Sequence, residues 1–180
     1  PELLAAMIDR HCDGQNFAHA IDLGCGTGLM AQAIAAKAGA FSGIDLSAAM
    51  LAKANARGLY QHLVKADLLD GMAQLQAADL IVAADVFMYF PGLEPVFQAV
   101  ADKLHPDGYF VFSVEKLEGD QPFALQPSLR HAHSEGYILS LLKANGLKLL
   151  GSETAVLRRD RDDDITGLLF VARKVTATDG

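Results

Sequence analysis

The sequence predicts an α/β fold, one open sheet of seven strands, mostly parallel, with helices on both faces. Three observations predict it. Short β-rich apolar runs alternate with alanine- and leucine-rich helical patterns along almost the whole chain. The first run, "AIDLG", passes directly into a glycine-spaced turn and a helix. The last two runs have only "LRRDRDDDITG" between them, with no crossover helix, so the final strand returns antiparallel as a hairpin.

Taken in order, a short N-terminal helix is expected over Glu2 to His11, then a strand over His19 to Leu23 and a helix over Met30 to Ala38 that stops at Gly39. The second strand, Phe41 to Ile44, leads through the N-cap candidate Ser47 into a helix over Ala48 to Ala56, closed by Gly58. Strand Tyr60 to Lys65 precedes helix Leu69 to Gln74. The apolar run Leu80 to Ala83 precedes helix Leu93 to Leu104. Tyr109 to Glu115 is the fifth strand, and Ser134 caps the last helix, which ends by Gly146 at Asn145. The sixth and seventh strands are Lys148 to Ala155 and Gly167 to Arg173. The charged cluster Arg158 to Asp164 between them reads as a solvated hairpin tip. The proline-spaced segment Gly119 to Pro127 reads as a loop, and the wider stretch 117–133 is the candidate substrate side.

With 180 residues, 51% of them hydrophobic, the chain supports one domain spanning residues 1–180. Its net charge of -7 with 15 Lys+Arg disfavours nucleic acid, because phosphate binding needs clustered basic side chains. A small-molecule partner is expected instead. Cys12 and Cys25 make no disulfide framework and show no metal-ligand spacing, so a reducing, cytoplasmic setting and no metal are expected. The apolar runs are broken by charges well before the ~18 residues a span requires, so no membrane partner is expected. Since the sequence starts at Pro1, an upstream segment or domain is expected to precede it.

"IDLGCGTG" places Gly24, Gly26 and Gly28 where a strand turns into a helix, allowing a tight turn and close backbone approach to a ligand. Dinucleotide loops use G-x-G-x-x-G to receive a pyrophosphate on spare helix amides. Here Asp22 precedes the loop and no Lys or Arg occurs from His19 to Gln32, which favours a ligand with positive groups. Asp45 closes the second strand, where an acid takes both hydroxyls of a ribose in doubly wound folds. In "KADLLD", Asp67 can accept from an exocyclic amine while Leu68 covers a ring. "AADVFMYF" brings Asp85, Val86, Phe87, Tyr89 and Phe90 to the same carboxyl edge. Successive strands thus deliver polar groups to one rim.

This D-x-G-x-G-x-G loop, with a ribose acid, an adenine acid and a closing antiparallel strand, resembles the class I S-adenosylmethionine-dependent methyltransferases over nearly the whole chain. The resemblance implies a Rossmann-like fold and S-adenosyl-L-methionine as cofactor, leaving S-adenosyl-L-homocysteine as product. It implies that Asp22 and the backbone of Gly24 and Gly26 serve the methionine end, Asp45 the ribose, and Asp67 with Leu68 the adenine, while Met50 and Val86 flank the base or ribose. Cys25, Gly28, Leu46, Ala66, Ala84 and Asp85 complete the expected cofactor-binding set. More narrowly, "VAADVFMYFPGLEPVF", "RHAHSEGY" and "LRRDRDDDITGLLFVARK" are similar to a bacterial methyltransferase group that often carries tetratricopeptide repeats. No such repeat is present in this sequence.

On the acceptor side, Tyr89 and His133 are the catalytic candidates, with Glu115, His131 and Tyr137 near them. The methyl acceptor is expected to be a small molecule. Two other readings stand beside this one: an adenosyl-binding module without turnover, and an NAD-dependent oxidoreductase, against which the loop spacing and its acid argue.

Overall fold

The computed structural model describes residues 1–12, 14–160 and 163–175. Helix α1 (Glu2–His11) leads to strand β1 (Ala20–Leu23) and helix α2 (Leu29–Ala33). Next come β2 (Phe41–Asp45), α3 (Ala48–Asn55), β3 (Tyr60–Lys65), α4 (Leu68–Gln74) and β4 (Ala78–Ala83). A single 3-10 turn (Phe87–Tyr89) links β4 to α5 (Glu94–Lys103) and β5 (Leu104–Lys116). Two short strands, β6 (Phe123–Leu125) and β7 (His131–His133), precede α6 (Glu135–Ala144), β8 (Leu147–Asp160) and β9 (Asp163–Lys174).

The strands β3, β2, β1, β4 and β5 lie side by side and parallel. Beyond β5 comes β9, antiparallel, and β8 pairs with its far edge. This is the expected doubly wound sheet with a reversed last strand. Both faces are buried, as a parallel sheet demands. Along β1, Ile21 and Leu23 join a core with α4, α5 and α6, whereas Ala20 joins one with α1 and α2. Successive side chains of a strand face opposite ways, which sends Asp22 to the α1 and α2 side.

Local chemistry explains the punctuation. The Ser47 hydroxyl accepts from the Met50 amide at 3.3 Å and that of Ser134 from the Tyr137 amide at 3.4 Å. Gly58 and Gly146 take φ of 69° and 65° just past α3 and α6.

Three expectations need correction. Helix α2 ends at Ala33 rather than at residue 38, because the chain tightens into turns closed by bonds such as Lys37 N–H to the Ile34 carbonyl at 2.9 Å. The segment Gly119 to Pro127 is not all loop, since β6 pairs antiparallel with β7, Phe123 opposite His133. The cluster Arg158 to Asp164 is not a solvated tip throughout. Strand pairing runs out to Asp160 opposite Asp163, and Arg158 folds inward onto Glu115; Arg161 and Asp162 lie outside the described residues.

Candidate methyl-donor site

The carboxyl ends of β1 to β4 converge on the glycine loop. Gly24, Gly26 and Gly28 all take positive φ, 63°, 53° and 82°. Gly24 is needed twice over, since a Cβ there would lie 2.8 Å from Val86 Cβ and closer still to Cγ2. At Gly26 the requirement differs. A Cβ would find nothing nearer than the Gly24 carbonyl at 4.0 Å, so its backbone faces open space that a ligand can approach.

Asp45, at the end of β2, is held by two amides. Its Oδ2 accepts from Gly26 N–H at 2.9 Å and its Oδ1 from Ser47 N–H at 2.8 Å. A carboxylate offers about four acceptor positions, so each oxygen keeps capacity for a ligand hydroxyl. Asp67 caps α4: Oδ1 takes both the Leu69 and Asp70 amides, at 2.9 and 3.0 Å, leaving Oδ2 for an exocyclic amine. Leu46 and Met50 present exposed apolar surface beside Asp45, and Ala66 is half-buried next to Asp67. Asp85 is exposed and sits at φ 53°, a left-handed conformation that costs a non-glycine residue about 1 kcal/mol or more and collects at functional sites. Its amide donates to Ser113 Oγ at 3.3 Å, tying β4 to β5. Ala84 is half-buried and Val86 buried against the glycine loop.

Residues 21–112 match the methyltransferase domain family. The chain belongs to this family. The match covers β1 to β5, the elements that carry the acids and glycines just described. Over 120 residues the chain is 31% identical to trans-aconitate 2-methyltransferase of Rhizobium leguminosarum bv. trifolii, covering 66% of this chain and 46% of that protein. Over 113 residues it is 28% identical to ubiquinone biosynthesis O-methyltransferase of Idiomarina loihiensis, covering 59% of this chain and 46% of that protein. The chain therefore spans about half the length of the curated relatives it matches. Among solved structures it superposes on the N-methyltransferase NodS of Bradyrhizobium japonicum in complex with S-adenosyl-L-homocysteine. The TM-score is 0.72 at 18% identity, over 96% of this chain and 86% of that one. The methyltransferase family takes S-adenosylmethionine as cofactor. Membership sets aside the oxidoreductase.

The donor set of this methyltransferase domain fits that cofactor. It offers an open glycine cradle, a carboxylate with spare acceptor capacity on both oxygens, and a capping carboxylate with one oxygen uncommitted. Three expected residues act differently from their sequence reading. Asp22 is 1% exposed and does not open to the crevice; one oxygen accepts from Tyr60 Oη–H at 2.6 Å and the Ala31 amide of α2 supports the carboxyl. Burial first, and Asp45 nearby, push its pKa to about 7, so it is no fixed anion beside the loop. The Leu68 side chain is drawn into the core beneath α4 and cannot cover a ring, which leaves its backbone at the crevice. The Cys25 thiol is buried and pushed up to about 12, by burial and then by Asp22 and Asp45, so it is inert packing against β2.

Two residues of the cradle escape sequence reading. Tyr60 opens β3 and roofs Asp22, and a Cβ on Gly28 would meet its ring at 3.0 Å. Arg57, at the end of α3, donates from Nε to the Thr27 carbonyl at 2.5 Å and from a terminal nitrogen to Gln32 Oε1, which clamps the far shoulder of the loop. No local signal marks either one, because each reaches the loop only through the packing of α3 and β3.

On the acceptor side, Tyr89 is 63% exposed on the 3-10 turn and free to face a ligand. Phe87 is not at the rim. It is fully buried among Phe97, Phe110 and Phe112. His133 is also a correction: it is wholly buried, its Nε2 donating to the carbonyls of Phe90 and Pro91 at 3.0 and 3.1 Å, and its ring stacks on Tyr137. Desolvation lowers its pKa and keeps the imidazole neutral. It fixes the turn that carries Tyr89 and does not face an acceptor. No His, Cys, Asp and Glu cluster that could hold a metal is found among the described residues. No described helix is long and apolar enough to cross a membrane.

Proposed function

We propose that this domain transfers a methyl group from S-adenosylmethionine to a small-molecule acceptor. The observation that carries the reading is Asp45, whose two oxygens each hold one backbone amide and each keep room for a ribose hydroxyl. In this assignment Gly24, Gly26 and Gly28 make way for the methionine end, Asp67 takes the adenine amine, and Leu46 and Met50 flank the nucleoside. When bound, the cofactor supplies an activated methyl on a sulfonium. The chain's part is to hold the nucleoside, exclude water and bring an acceptor into line. Tyr89 lies on the acceptor side of that arrangement, placed by the buried His133. A small acceptor agrees with both named relatives, one acting on trans-aconitate and the other in ubiquinone biosynthesis. Kinship with the repeat-carrying bacterial group, and a cytoplasmic setting, follow from the sequence motifs and cysteine usage.

Calorimetric titration with S-adenosylmethionine, S-adenosylhomocysteine and NAD tests the assignment. Micromolar binding of the two adenosyl compounds and none of NAD is expected, and binding of NAD alone would overturn it.

A further inference from the structure

Resting on the donor assignment above, we propose that the acceptor enters a cavity at a fork in β5, and that Glu115, positioned by Arg158, binds and deprotonates it. The acceptor's nucleophile is then a polar N–H or O–H group.

The outer edge of β5 is shared. Tyr109 to Glu115 pair with β9, whereas Glu115 and Lys116 pair with Ala132 and His133 of β7. Where the two partners diverge, the sheet opens into a cavity of about 680 Å³, lined among others by Glu115, Lys116, Gln126, Ser128, Asp164 and Thr166. Glu115 also borders, with Asp85, Val86 and Ser113, a gap too small to admit water. Glu115 therefore stands between the cavity and the end of β4, whose Val86 touches the glycine loop. Glu115 lies near the carboxyl end of β5, the rim on which open α/β sheets bind their ligands.

Glu115 is only 5% exposed. One oxygen pairs with an Arg158 terminal nitrogen at 2.5 Å, and among the described residues nothing donates to the other. That second oxygen keeps acceptor capacity, and because Glu115 lines the cavity a ligand N–H or O–H can be taken there. Arg158 reaches it because the β8–β9 register shifts between Val156 and Arg158, a bulge that re-aims the side chain inward. Its other terminal nitrogen meets Met88 Sδ at 3.3 Å, beside Tyr89. The charged lining residues are already matched, Lys116 with Glu118 at 2.7 Å and Asp164 with Arg159 at 3.1 Å. The cavity thus offers no unpaired cation among its described residues to a carboxylate acceptor. Its walls are mixed, the polar groups standing beside Pro127, Leu129, Ala132 and Ile165.

In the step, the acceptor nitrogen or oxygen forms a bond to the methyl carbon as the carbon–sulfur bond breaks. That electron pair stays on sulfur as a neutral thioether. The acceptor's proton passes to Glu115 and on to water.

The test uses the whole chain, methyl-labelled S-adenosylmethionine, and a panel of primary amines, polyols, phenols and carboxylates. Saturation-transfer NMR of the same compounds on protein loaded with S-adenosylhomocysteine gives a readout independent of turnover. An amine or alcohol is expected to be methylated. Glu115→Gln should lower kcat/KM for it by about 100-fold or more and weaken its saturation transfer, with S-adenosylhomocysteine affinity within about twofold. Arg158→Lys should keep most turnover, whereas Arg158→Met should lower kcat about tenfold with donor affinity unchanged, a split that loss of folding would not give. Methylation confined to carboxylates, no turnover of any amine or alcohol, or wild-type rates in Glu115→Gln would overturn this proposal alone. Failure of the wild type to bind S-adenosylhomocysteine would overturn the donor assignment and this proposal with it.

Discussion

The phenol of Tyr60 donates to a carboxylate oxygen of Asp22 at 2.6 Å, closing a buried polar pair directly beneath the glycine loop. The pair joins β1 to β3 across β2, where Gly43 leaves room: a Cβ there would lie 2.9 Å from both Cys25 Sγ and the Tyr60 ring. A side chain 38 residues away in sequence thus fixes the base of the donor cradle.

That relationship sets a pH dependence. Burial raises the Asp22 pKa from 3.8 to about 7, so the folded chain holds a proton that the unfolded chain has released. The resulting stability is complete below about pH 4 and is lost as pH rises through about 7, at most about 4 kcal/mol. Asp22→Asn should flatten this slope, and its Tm advantage over wild type should grow from pH 5 to pH 8. Thermal melts across that range measure it; parallel Tm curves for the two proteins would refute the assignment.

Gly24 tests the cradle itself. Alanine there must enter a left-handed conformation at φ 63° and press into Val86. Strain of about 1–3 kcal/mol is expected, relieved by displacing the loop. Gly24→Ala should therefore lose S-adenosylhomocysteine affinity by at least about tenfold while keeping a cooperative melt. Gly26→Ala shares the φ strain but meets no wall, so calorimetry should show its loss arising with the ligand present and a smaller change in Tm.

The order of strands and helices was legible because both faces of the sheet are buried and several crossovers carry a cap or glycine stop, as at Ser47, Gly58, Ser134 and Gly146. The strand-end positions of Asp45 and Asp67 were legible for the same reason, since each lies at or just past the carboxyl end of a strand. What could not be read depends on distant contacts. Tyr60 and Arg57 have ordinary neighbours in sequence. Arg158 sits in a charged run whose solvated and inward-folded forms look alike, and only the bulge at the β8–β9 register turns it toward Glu115. The strand Phe123–Leu125 lies between Pro122 and Pro127, which mask three paired residues as loop. His133 in "AHSEGY" looks as suited to chemistry as to packing until its burial is known.

His133 gives a prediction that separates those two roles. Its Nε2 serves the Phe90 and Pro91 carbonyls, and desolvation lowers its pKa. A lowered value means that stability is present above about pH 6.5 and is lost as pH falls, because the unfolded chain takes up a proton that the fold refuses. His133→Gln keeps a donor without the titration. It should retain turnover, leave the shape of the pH–rate profile unchanged, and soften the acid-side loss of Tm. His133→Ala should cost about 1–3 kcal/mol in stability by leaving two buried carbonyls unpaired. A change in the pH–rate profile of His133→Gln would restore it as a catalytic group.

Asp45 and Asp67 are both strand-end carboxylates, yet their bonding predicts opposite side effects. Asp45 uses both oxygens for backbone amides, one of them Gly26 of the loop. In Asp45→Asn one oxygen becomes an NH₂ that must face an amide donor, so the loop loosens as the ribose contact is lost. Asp67 commits only Oδ1, to Leu69 and Asp70. Asp67→Asn keeps that oxygen and the α4 cap, and places its NH₂ where the adenine amine would donate. Losing a hydrogen bond to a charged group is worth about 1.5–3 kcal/mol, or roughly tenfold to 100-fold in affinity. Both variants should lose that much S-adenosylhomocysteine binding by calorimetry, but only Asp45→Asn should also lose Tm in the absence of ligand. Equal Tm losses in the two would mean that Asp67 is part of the scaffold, and an unchanged affinity in Asp45→Asn would remove the ribose from its place at β2.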